Sequence, residues 1–193
     1  MNMEKLLPKR GTYIVMVKSY SALAKVIRFG MRVEQFMKRE KRYVDLNHAD
    51  ILIDGMVSGA IASGVANRTV NSSYINDGKK RELYVFKVKV PKGKKASLRD
   101  FCLDSDKKKY EVLNFLWHAI DILFHKWFGK KGNKATKRVY CIEYVAMGIN
   151  KLYPGLISEP WLVNPNDLYK LLISDTNKFQ LTEVIKIPVA KKD

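Results

Sequence analysis

Between Arg138 and Leu152, apolar residues recur at positions 142, 145, 146, 149 and 152. That spacing belongs to an α-helix with one buried face, so any fold of this chain must lay the segment against a core. A basic, loop-like stretch, Lys130-Lys131-Gly132-Asn133-Lys134, runs into it. Cys141 is therefore expected at or just inside the helix N-terminus. Unpaired N–H groups and the positive end of the helix dipole favour an anion there, which stabilises a thiolate. Two readings stand side by side: a nucleophile, or a small buried hydrophobe.

The rest of the chain reads as strands with helices between them. Gly11 to Lys18 is a β-rich run after Pro8, expected as a buried strand, and Ser19 or Ser21 can cap a helix that follows. Ala49 to Asp54 reads as a strand that turns at Asp54-Gly55 into a hairpin partner, Met56 to Ala62. A polar loop containing Asn71, Ser72, Ser73 and Asn76 is expected next. Glu82 to Val90 alternates, with Tyr84, Phe86, Val88 and Val90 on one face, as a half-buried strand does. A long helix is expected from Asp104, Ser105 or Asp106 to about Phe128, stopped by Gly129. Asn164 and Pro165 supply a cap and first position for a helix to about Ser174. Phe179 to Ile187 alternates like a closing strand. Together these patterns predict one α+β domain with its core over about residues 11–187, an antiparallel sheet packed against helices.

Charge limits the partners. The chain holds 36 Lys+Arg against 19 Asp+Glu, a net +17, and such a surface attracts polyanions. The basic residues are spread over many segments with no nucleic-acid motif, so weak, non-specific binding to nucleic acid, cell wall or anionic lipid is expected. Cys102 and Cys141 match neither a disulfide framework nor a zinc spacing. His118, Asp121 and His125 share one face of the long helix, a spacing open to metal but more simply a polar face, and no metal or cofactor is expected. Met1 to Arg10 has no apolar run like a signal peptide, and Phe115 to Phe124 is too short and polar to span a membrane. A protein residing in the cytoplasm where it is made is expected, and association with a virion is compatible with that.

His48 sits where a loop enters the strand of Ala49 to Asp54. A strand-borne imidazole and a helix-borne thiol are the parts of a thiol–imidazole pair. The chain here resembles a family. Gly11-Thr-Tyr-Ile-Val-Met-Val is similar to the opening strand of the circularly permuted papain-like cysteine amidases of the NlpC superfamily (the YiiX/YaeF-type branch), and Ser21 to Arg28 to the helix after it. Asn47-His48-Ala49-Asp50-Ile51-Leu52-Ile53-Asp54-Gly55 resembles their histidine strand, Tyr140-Cys141-Ile142-Glu143-Tyr144-Val145 their nucleophile helix, and Trp161 to Leu168 their terminal helix. The order, histidine before cysteine, is that of the permuted branch.

The resemblance implies a cysteine hydrolase or acyltransferase that acts on an amide or related acyl bond, and the small, lysine-rich composition suits a bacterial or phage protein. Cys141 would be the nucleophile, His48 the general base, and the Cys141 N–H part of an oxyanion hole. Tyr110 matches a family tyrosine that precedes the nucleophile segment. Substrates compatible with this are a cell-wall peptide, an isopeptide or a lipid amide. Two departures stand out: Ile142 replaces a small serine, and the family's orienting glutamate falls at Gly59. Asp50, on the same strand face as His48, is the first candidate to replace it, and Glu143 the second. The alternative is an inactive papain-like fold kept as a basic binding or structural protein, associated with a virion or nucleic acid.

Overall fold

A computed structural model describes residues 7–21, 24–25, 28–29, 32, 45–61, 63–75, 78–105 and 140–189. The expected helix beyond Ser105, the group His118, Asp121 and His125, and Tyr110 lie outside the described residues.

Six strands form one antiparallel sheet: β1 (Thr12–Ser19), β2 (His48–Ile53), β3 (Met56–Ile61), β4 (Gly64–Thr69), β5 (Arg81–Val88) and β6 (Phe179–Ile187), in the order β4-β3-β2-β1-β5-β6. Between them run α1 (Val70–Tyr74), α2 (Lys94–Asp104), α3 (Cys141–Leu152), a 3-10 turn at Pro160–Leu162 and α4 (Pro165–Ser174). The architecture is the expected α+β arrangement, a sheet packed against helices.

The β2–β3 hairpin turns at Asp54 and Gly55, both at positive φ (+48° and +84°). Two consecutive positive φ values give the turn whose twist matches the strands it joins, which is why Asp-Gly serves here. Asp54 also accepts a hydrogen bond from Gly11 N at 3.0 Å, tying the turn to the entry of β1. Ser21 caps the segment after β1, its Oγ accepting from Ala24 N at 3.2 Å.

Alternation divides the sheet into two faces. Ile14, Met16, Ala49, Ile51, Ala60 and Phe86 pack against α2, α3 and α4. Val15, Val17, Leu52, Val57, Leu83 and Val85 face a second cluster containing Leu7, Val70 and Tyr74. Both faces are thus covered, and the half-buried strand expected at Glu82 to Val90 is corrected: Leu83 and Val85 are as buried as Phe86. The expected polar loop after Val65 is also corrected. Its first part is β4, and Val70–Tyr74 is a short helix capped by Thr69, whose side chain accepts from Ser72 N. The third correction concerns Asp104, expected as a candidate helix start: α2 occupies Lys94–Asp104, a stretch with no sequence-based expectation. Asp104 ends this helix.

On α3, Ile142, Val145, Ala146, Ile149 and Leu152 are all buried, the stripe that their spacing requires. Gly148 sets how closely this helix approaches the sheet. A Cβ there would fall 2.4 Å from Ile51 Cδ1 on β2, so only glycine allows the present separation. Gly148 and Cys141 stand seven residues apart, two helical turns, and therefore share a face. Close contact at Gly148 carries Cys141 toward β2.

Candidate active site

Two chain segments build the site. His48 is the first residue of β2, and Asp50 projects from the same strand face two positions on. In register, Val17 of β1 lies opposite His48 and Val15 opposite Asp50, while the ladder to β3 runs from Ile53↔Met56 to Ile51↔Ser58. His48 and Asp50 thus occupy the stretch of β2 past its last rung with β3. Cys141 is the first residue of α3, and its thiol lies close enough to the His48 ring to influence the charge of the imidazole. Residues far apart in sequence are brought together because a helix start meets a strand start.

The imidazole is held at its other nitrogen: His48 Nε2 lies 3.0 Å from Asp50 Oδ1. With Nε2 engaged, Nδ1 is the nitrogen left to exchange a proton with the thiol. Asp50 is 1 % exposed, and its carboxylate has three partners. Arg68 of β4 donates to Oδ1 at 3.2 Å, and the Tyr74 hydroxyl of α1 donates to Oδ2 at 2.9 Å. Neither Arg68 nor Tyr74 carries a signal in the sequence, because each depends on a strand and a helix whose residues show no regular apolar pattern.

Burial by itself would drive a proton off His48. The charge of Asp50, that of a Cys141 thiolate, and hydrogen bonds to both outweigh burial and raise the imidazole from its ordinary 6.5 to about 10. Asp50 responds in the opposite sense: burial favours its neutral form, yet His48, Arg68 and Tyr74 hold the carboxyl below its usual range. The pattern is that of an imidazolium held against a buried carboxylate, with the Cys141 side chain on its other side. Cys141 itself is 3 % exposed and the His48 side chain 23 %, so solvent reaches the pair from the imidazole side.

Gly59 explains how Asp50 is accommodated. A Cβ on Gly59 would lie 1.7 Å from Asp50 Oδ1 and 3.5 Å from Arg68 Nη2. The space that a side chain at 59 would fill is occupied by the carboxylate from β2.

The other candidates fall elsewhere. Glu143 sits one turn into α3 and accepts from Tyr140 N at 3.4 Å, a helix-capping contact. Burial raises its carboxyl to about 7, with the Tyr140 N–H acting against the shift. Cys102 lies in the core, where burial pushes its thiol up against opposing hydrogen bonds from Tyr144 and Ser58. Those two hydroxyls are themselves 2.7 Å apart. Ile142, in place of a small residue, is buried in the core. The Tyr140 hydroxyl lies 3.1 Å from the Trp161 carbonyl and 2.9 Å from that of Val163, fixing the start of α3 to the 3-10 turn.

The first N–H groups of α3 precede the helical ladder, whose first bond here is Tyr144 N to Tyr140 O at 2.9 Å. The N–H groups of Cys141, Ile142 and Glu143 therefore have no acceptor within the helix. Among the described residues no group of His, Cys, Asp and Glu side chains could hold a metal ion, and no helix is long and apolar enough to cross a membrane. In comparison with known proteins, the chain matches no protein-family model and no curated sequence.

Proposed function

We propose that this chain is a cysteine hydrolase or acyltransferase on a permuted papain-like fold, with Cys141 as nucleophile, His48 as general base and acid, and Asp50 as the residue that orients the imidazole. The observation that carries this reading is the placement of His48 between Cys141 and Asp50, its Nε2 3.0 Å from a buried carboxylate. A buried, ionised aspartate beside a histidine is costly unless it serves the charge of the ring, and Arg68 and Tyr74 keep it ionised.

The chemistry follows from the positions. The Cys141 thiolate attacks the carbonyl carbon of an amide or related acyl bond, and the carbonyl electrons move onto oxygen. The N–H of Cys141, free of helical bonding, donates to that oxyanion. The His48 imidazolium passes its proton to the leaving amine as the C–N bond breaks, leaving a thioester on Cys141. Neutral His48 then removes a proton from water, or from a second nucleophile, which attacks the thioester and releases the acyl group. Asp50 fixes the ring and stabilises its charged form throughout.

The test is capture of the covalent species. Incubation with an acyl thioester or activated ester should give an adduct on Cys141 by mass spectrometry. Cys141→Ala should give none, and His48→Ala should form it at least a hundredfold more slowly, the order of a general-base contribution. An adduct distributed over surface lysines and Cys102 would contradict the assignment.

A further inference from the structure

One row of the sheet past His48 carries charge instead of apolar side chains. His48, Val17, Leu83 and Ile185 stand opposite one another across β2, β1, β5 and β6, and the next row is Lys18, Glu82 and Lys186. Lys18 alternates with Met16 and Ile14, so it lies on the face of the sheet covered by α3. Around this row, three cations surround one ring: Lys80 Nζ is 5.0 Å, Lys18 Nζ 5.6 Å and the Arg28 guanidinium 5.7 Å from the centre of Tyr20. The Tyr20 hydroxyl donates to Glu82 at 2.6 Å and Lys18 bonds the same carboxylate at 3.3 Å. Among the described residues, Asp45 also lies nearby and pairs with Arg32 at 3.2 Å. Arg28 is buried and bonds Asn47 Oδ1 at 3.4 Å, and Asn47 directly precedes His48. The cationic cluster is thus built onto the same chain turn as the imidazole.

Clustered like charges repel, and among the described residues the acids nearby do not balance them. With strands about 4.8 Å apart, the row reaches from roughly 5 Å to roughly 15 Å from His48. Cations spread over that length suit successive charges along an extended chain better than a single anionic group. We propose that Lys18, Lys80 and Lys186 form a docking row for an acidic polypeptide segment, which is drawn along the sheet end toward the Cys141–His48 pair. The proposal rests on the function argued above and names the substrate class of that site: a polypeptide with a run of carboxylates beside the amide to be cleaved.

The experiment uses the full chain and two fluorescein-labelled decapeptides, one rich in glutamate and one with glutamine in its place. Fluorescence anisotropy at low salt should show the acidic peptide binding at least about tenfold more tightly, and high salt should erase the difference. K80E/K186E should weaken that binding about tenfold or more. K92E/K94E makes the same charge change at exposed lysines beyond the opposite end of β5 and should weaken it far less. Bound acidic peptide should also slow alkylation of Cys141 by iodoacetamide. Equal losses for the two double variants would overturn the docking row, as would binding that leaves Cys141 unprotected. A single-stranded oligonucleotide that displaces the peptide at much lower concentration would assign the row to nucleic acid instead. Because binding is read without catalysis, an inert Cys141 would refute the enzymatic reading without imitating failure of the docking row.

Discussion

Asp50 holds His48 from two residues along the same strand, Oδ1 to Nε2 at 3.0 Å, and is itself held by Arg68 and Tyr74. The strand pleat supplies the geometry, since residues i and i+2 share a face. Partners on β4 and α1 supply the charge state.

That support predicts a graded series. Tyr74→Phe removes one bond to a buried carboxylate and should cost about 1.5–3 kcal/mol, the range for hydrogen bonds to charged groups. Asp50→Ala leaves Arg68 and His48 without their shared anion and should cost about 3–5 kcal/mol. Urea denaturation of the two variants checks the order. Both should also slow alkylation of Cys141, and Asp50→Ala should do so more.

His48 offers a pH test. Its folded value is raised to about 10 above an unfolded value near 6.5. Its contribution to stability is therefore fully present below pH about 6.5 and is lost as pH rises through about 10. Asp50, lowered on folding, contributes above about pH 3.9 and loses that contribution as pH falls through its folded value. Nitrogen-15 imidazole spectra should show His48 doubly protonated at pH 8. A neutral ring at that pH would contradict the raised imidazole.

The two thiols should separate by reactivity. Cys102 is buried with its thiol pushed up, whereas Cys141 opens a helix beside the His48 imidazole. Iodoacetamide at mildly acidic pH should label Cys141 well before Cys102, and His48→Ala should slow that labelling without unfolding the chain. Peptide mapping reads both sites in one digest.

Glu143 gives a prediction of opposite sign to Asp50. Its folded value, about 7, exceeds the unfolded value near 4.3, so its contribution is present below pH about 4.3 and is lost as pH rises through about 7. Glu143→Gln keeps an acceptor for Tyr140 N and should melt higher than the parent at pH 8, with little change at pH 5. Thermal melts at the two values suffice. A catalytic Glu143 would instead show its effect in the rate of acylation.

Gly148→Ala should force α3 away from Ile51 and cost roughly 1–3 kcal/mol, the usual range for overpacking a core. Because Cys141 shares that helix face, its alkylation should slow as well, a loss that a distant surface substitution would not produce.

What the sequence disclosed was local. The apolar stripe of α3, the Asn164–Pro165 start of α4 and the alternation of β6 each lie within one element and depend on no distant partner. β4 was hidden because its polar residues face particular distant partners: Asn67 donates to the Cys102 carbonyl and Arg68 to Asp50. α2 buries only Leu98, Phe101 and Cys102 amid charged residues, a helical spacing too sparse to stand out. His48, Cys141 and Asp50 could be nominated from position and spacing, but Arg68 and Tyr74 could not, since what selects them is their approach to one carboxylate.

The bare position at Gly59 has a consequence for descent and redesign. Asp50 and any side chain at 59 exclude each other, so an acid in this space can stand on β2 or on β3 but not on both. A lineage moving it from one strand to the other must pass through a double change, or through a chain with no acid at all. Gly59→Glu alone should collide with Asp50, while Asp50→Gly combined with Gly59→Glu should recover part of the lost function. The two positions are one space that a single acidic side chain can fill from either strand.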